Sequence, residues 1–178
     1  MSAASIFTDS AESSPPDATA LGWLASRGVA SDDIASPFRV HVARVIFDAD
    51  RYEPSAVGDF AFILAVFDEE IIDAAAWEPA TGRLATRLGV GAALGQALIG
   101  RAGWGTTGRA LPIWRSPLEW LRSGRRGLVV IDPALAAHAL AGQALQAEDD
   151  AHRRELKRLL RVPPPAFASG LIRQELAA

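Results

Sequence analysis

Asp48, Asp50, Asp68 and Glu70 are the residues whose type and spacing best suit a hard cation. They form two groups, Asp48-Ala49-Asp50 and Asp68-Glu69-Glu70. Mg²⁺ takes clustered carboxylate oxygens. Asp132, at the end of the apolar run GLVVI, is a fifth candidate ligand. If these acids converged, the chain could be a Mg²⁺-dependent enzyme acting on phosphate esters. The same acids flank predicted strands, where Asp and Glu serve equally as plain turn residues.

A second chemistry is written into LPIWRSPLEWLRSGRRGLVVIDP, residues 111–133. Trp114 stands beside Arg115, and Trp120 is followed by Arg122, Arg125 and Arg126. Arg and Trp are over-represented at the energetic centres of protein interfaces. The same pair suits nucleic acid, guanidinium on phosphate and indole under a base. Trp114, Arg115, Arg122, Arg125 and Arg126 are therefore the candidate partner-binding residues. Helix positions three and four apart share a face, so Leu118 and Leu121 lie together. The expectation is that Leu118, Leu121 and at least one tryptophan plug the core, with Trp120 mostly buried and Arg125 and Arg126 on the solvated rim.

Other chemistries find no foothold. There are no cysteines, which excludes disulfides, thiolate nucleophiles and cysteine-ligated metals. His41, His138 and His152 fall in no metal-ligand spacing. G-x-S-x-G, a Walker A loop and a dinucleotide glycine fingerprint are all missing, and Gly103-Trp104-Gly105 reads as a loop. No cofactor is expected apart from Mg²⁺ under the enzyme reading.

Charge is nearly balanced overall, at −3, but polarised along the chain. Nine acids against Arg51 lie between Asp48 and Glu78, and six arginines against Glu119 lie between Arg101 and Gly127. A negative net charge counts against a general DNA-binding protein. The polarity instead favours a protein partner, or self-association of acid patch with arginine patch, with nucleic acid a further possibility. Lys157 is the single lysine against 17 arginines, the bias of a GC-rich bacterial genome. No apolar run approaches the ~20 residues that span a bilayer, so no membrane role and a cytoplasmic location are expected.

The elements that must position these residues follow from periodicity. Residues 1–20, rich in Ser, Ala and Pro, read as a disordered tail. Residues 21–170 read as one globular α+β domain and 171–178 as a second tail. A short helix is expected over 21–35, ending near Gly28. Pro37 marks the start of a strand through Phe38, Val40, Val42 and Val45. The polar stretch DADRYEPSAVGD reads as a loop. FAFILAVF, residues 60–67, is apolar at both alternations and should be covered on both faces. With 71–77 and 83–88 it makes an antiparallel meander.

Residues 89–100 fit a small-residue helix or an ordered loop. Ser116-Pro117 with Glu119 opens a helix as a capping box, and Gly124 closes it. Strand 127–131, a helix from Asp132-Pro133 to about Leu140, strand 144–147 and a charged helix from Asp149 or Asp150 to about Leu160 complete the pattern. In that last helix Leu156, Leu159 and Leu160 are expected inward, and Pro163-Pro164-Pro165 ends it. A short strand could follow before the tail. The fold class is α+β, with both halves contributing to one mixed sheet.

GLVVIDPALAAHALAG, residues 127–142, resembles the strand, acid and small-residue helix that open a toprim domain. The resemblance implies a nucleic-acid enzyme with Asp132 in the place of the catalytic glutamate. The chain departs from that pattern in lacking the glycine after the acid and any later strand ending in Asp-x-Asp. The stretches GDFAFIL, AAAWEP and PLEWLRSGRRGLVV are similar to short uncharacterised proteins of GC-rich proteobacterial genomes, some associated with mobile elements. That resemblance implies no activity. The leading expectation is a non-enzymatic module that binds a macromolecular partner, a protein before a nucleic acid.

Overall fold

Strands β1 (His41–Asp48), β2 (Arg51–Pro54), β3 (Asp59–Asp68), β4 (Glu70–Trp77) and β5 (Leu84–Thr86) close into a barrel in the order β1-β2-β5-β4-β3. The computed structural model describes residue 7 and residues 12–35, 39–101 and 109–161. Every barrel pairing is antiparallel except β2 with β5, which closes the circle through Arg51 and Thr86. The meander β3-β4-β5 is as the sequence implies.

The doubly apolar run of β3 has a physical explanation. Ala61 and Ile63 point into the barrel, where they meet Val45, Tyr52, Ala74, Ala76 and Ala85. Five strands leave a narrow interior, and alanine fits it. Phe62, Leu64 and Val66 point outward and are covered by helices, in a second core that includes Leu24, Trp77, Trp120 and Leu121. Gly58 lies so close to β1 that a Cβ there would stand 2.3 Å from the Val45 carbonyl oxygen.

Helix α1 (Ala18–Ser26) is capped by Asp17, and α2 (Ser31–Ala35) follows after Gly28 at φ 83°. One expected helix is thus two. The ordered chain also starts ahead of residue 21: Ser14 pairs with Val42 at 2.8 and 2.9 Å. The expected strand start at Pro37 and Phe38 lies outside the described residues, as do Gly103-Trp104-Gly105, the Pro163–Pro165 stop and both chain ends.

The second half does not extend the first sheet, and the single mixed sheet expected from sequence is corrected here. β6 (Ala93–Leu94) pairs only with β8 (Val129–Val130), antiparallel, and β7 (Leu111–Ile113) pairs with β9 (Leu145–Ala147), parallel. Residues 89–100 form β6 and a 3-10 turn at Gln96–Leu98 instead of a helix. Helix α3 (Pro117–Arg122) packs on the second core through Trp120 and Leu121, whereas α4 (Pro133–Ala139) and α5 (Asp150–Leu159) pack around a third core of Leu111, Ile113, Leu128, Ala136, Leu140 and Leu156.

Asp73 fixes the chain where it leaves the barrel. Its fully buried carboxylate accepts from the backbone N–H groups of Ala74, Leu88, Val90 and Gly91 at 2.8–3.1 Å. Four such bonds satisfy a charge that burial would otherwise make costly.

Candidate binding surface

The segment 111–133 divides between core and surface. Trp120 is buried as expected, and its indole N–H donates to the Gly127 carbonyl at 3.0 Å. The Ser116 hydroxyl bonds to the Glu119 carboxylate, so this capping box closes between side chains. Trp114 is half-buried and donates to the Arg126 carbonyl at 2.6 Å.

The arginines do not act as one set. Arg115 forks onto Asp149 with two bonds of 2.8 Å and reaches Glu148 at 3.2 Å. That hydrogen bonding holds the Asp149 carboxyl well below the usual carboxylate range. Arg125, expected on the rim, turns inward. Its Nε donates to the Asp33 carbonyl at 2.9 Å, and its guanidinium lies 5.5 Å from the Trp120 ring centroid. Burial pulls it down to about 10, against the opposing pull of Asp33. The cause is backbone: Gly124 and Arg125 both have positive φ, 70° and 58°, which reverses the chain. Arg122 and Arg126 are exposed.

The carboxylates stay apart. Val45 faces Asp59; Asp48 lies three residues beyond Val45, and Asp68 nine residues beyond Asp59 in the other direction. At ~3.3 Å per residue the two acidic hairpins are on the order of 40 Å apart along the strands. Asp50 shares the first hairpin and Glu70 the second. Asp132 accepts from the N–H groups of Ala134 and Leu135 as the cap of α4. Among the described residues no three His, Asp or Glu side chains gather as a metal would need.

Two histidines are buried. His41 bonds to Ser13 at 3.0 Å, and its pKa is lowered by burial and by Arg39. His152 Nδ1 accepts from the Glu148 N–H at 3.3 Å, and burial lowers its pKa too. His138 is exposed on α4.

The surface that the sequence reading passed over is α5. Asp149 caps it by accepting from the His152 N–H at 2.8 Å, and His152 and Leu156 face inward. Arg154, Lys157 and Arg158 are exposed at i, i+3 and i+4 and form one stripe on α5. Arg161, also exposed, follows just past the helix end. Arg153 pairs with Asp150 at 3.0 Å, but these four cations have no ion pair among the described residues. Leu159, expected inward, is 44% exposed, whereas Leu160 packs against the core as expected.

Apolar grooves flank the stripe. One, of about 480 Å³, runs between α4 and α5 over Leu140, Leu145, Leu156 and Leu160, with Arg153 and Lys157 along it. Gln143 lines this groove, and its side-chain oxygen is buried without a hydrogen-bond partner. The other, of about 260 Å³, lies between Trp114, Arg115 and Pro133 on one side and His152, Glu155 and Leu159 on the other. Two of the five expected partner-binding residues, Trp114 and Arg115, therefore border the α5 surface. The spacing of the basic residues in DAHRRELKRLLR was the signal that could have found it.

No protein-family model, no curated protein and no solved structure matches the chain. Among the described residues no helix is long and apolar enough to cross a membrane.

Proposed function

We propose that the chain is a binding module, not an enzyme, and that its α5 face takes an acidic, partly apolar segment of a protein partner. The observation that carries this is the stripe Arg154, Lys157 and Arg158, with Arg161 just past the helix end, running between two apolar grooves. Unpaired cations attract carboxylates and steer their approach. The grooves give apolar side chains somewhere to bury, and the Gln143 oxygen awaits a donor. An amphipathic helix laid into such a groove is a common mode of recognition. Nucleic acid would use the cations but leave the grooves unfilled, which favours protein.

Fluorescence anisotropy tests this with two labelled probes, an acidic amphipathic peptide and a duplex DNA of similar charge. The peptide should bind, more weakly as salt rises. Arg154→Glu, Lys157→Glu and Arg158→Glu together should weaken it about tenfold or more, equivalent to ~1.4 kcal/mol. A preference for DNA, or equal binding by the charge-reversed variant, would remove the support.

A further inference from the structure

A second recess, independent of α5, lies where α1 crosses the outer face of the barrel. It measures about 350 Å³ and is lined by Asp17, Thr19 and Trp23 of the α1 segment, Phe60 and Phe62 of β3, and Pro79. The rings form a corner. Phe62 and Trp23 lie 5.6 Å apart at 32°, whereas Phe60 meets Phe62 at 5.2 Å and 82°. Phe62 is buried and rests on Trp77, so it forms the floor. Phe60 is 42% exposed.

The electrostatics have one sign. Asp17 uses Oδ1 to cap α1 through the Ala20 N–H at 2.8 Å, and Oδ2 has no hydrogen-bond partner among the described residues. Among the described residues no cationic side chain lines the recess. Trp23 already carries a cation outside it, since the Arg27 guanidinium lies 5.2 Å from its ring centroid.

We infer that this recess binds a methylated ammonium group, with Trp23, Phe60 and Phe62 as the cage and Asp17 as the counter-charge. Aromatic faces attract cations through the ring quadrupole. A bare ammonium is strongly hydrated and gains little by leaving water. Methyl groups weaken that hydration and add apolar surface matched to the rings. A neutral apolar group would fill the same walls but leave the carboxylate unused.

The test follows the Ala20 amide and Trp23 indole signals of isotope-labelled protein by NMR. The probes are choline, its neutral carbon isostere dimethylbutanol, and a peptide bearing trimethyl-lysine. Choline should shift both signals saturably and bind several-fold more tightly than the isostere. Asp17→Asn keeps the helix cap, because Asn caps as well as Asp, and should bring choline down to the isostere's level. Phe60→Leu, at an exposed position, should weaken both. Tighter binding of the peptide than of choline assigns the site to a modified protein side chain, and the reverse to a free small molecule. Equal binding of choline and isostere, or no shift at either signal, overturns the inference.

Discussion

Arg125 and Arg126 are neighbours of one chemistry and opposite fates. Arg125 is packed against Trp120 and bonded to Asp33, whereas Arg126 is exposed. Arg125→Ala should cost about 1–3 kcal/mol, from a lost bond and lost packing. Arg126→Ala should stay within ~0.5 kcal/mol. Urea midpoints of the two variants check this, and equal midpoints would contradict the assignment. The buried histidines make a second prediction. Burial puts the folded pKa values of His41 and His152 below their unfolded value near 6.5. Their contribution is then fully present above that pH and is lost as pH falls through it, because the unfolded chain binds more protons. The depressed Asp149 acts only lower, below roughly pH 4. The urea midpoint should therefore fall between about pH 7 and 5, and His152→Gln should flatten the slope. A flat profile in the wild-type chain would sink this. Burial of Trp120 was legible from reading 116–124 as a capped core helix. The inward turn of Arg125 was not, because it depends on a left-handed backbone at a residue that is not glycine.

At the scale of elements, the helix starts of the second half were the most legible features. Asp132 and Asp149 cap α4 and α5 with their own side chains. Strand β2 was not legible: among RYEP only Tyr52 is buried, and a polar strand with one inward residue looks like a loop. Barrel closure was hidden for a related reason. It rests on one parallel contact between short strands, Arg51 with Thr86, which leaves no periodicity to read. The two-stranded units depend on close backbone approach at Gly127. Its φ is 102°, and a Cβ there would stand 2.5 Å from the Pro112 carbonyl oxygen and 2.9 Å from the Trp114 indole nitrogen. Gly127→Ala should destabilise by more than ~1 kcal/mol, the range for alanine forced to positive φ. It should also shift Trp114 fluorescence, since the added methyl displaces that indole. Unchanged stability and emission would mean that β7 and β8 are less tightly apposed than described.

Across the whole molecule, charge is divided between two bodies of structure. The exposed acids Asp48, Asp50, Asp68, Glu69 and Glu70 sit on the barrel hairpins, and the unpaired cations sit on α5. The polarity was visible in sequence, and the fold adds a second basic surface on α5. Of the arginines of 109–126, Arg115 is paired with Glu148 and Asp149 and Arg125 is turned inward, through contacts across more than thirty residues, while Arg122 and Arg126 are exposed. Only the fold shows that Arg154, Lys157 and Arg158 of α5 have no ion pair among the described residues. The central claim is that this helix and its grooves receive an acidic protein segment. The most direct test is chemical-shift mapping with an acidic amphipathic peptide added to the isotope-labelled chain. The account predicts shifts concentrated on α4, β9 and α5, with the Gln143 side-chain amide and the Trp114 indole among the most affected, and their loss at high salt. Shifts confined to the barrel, or none at α5 when the peptide is bound, would contradict it.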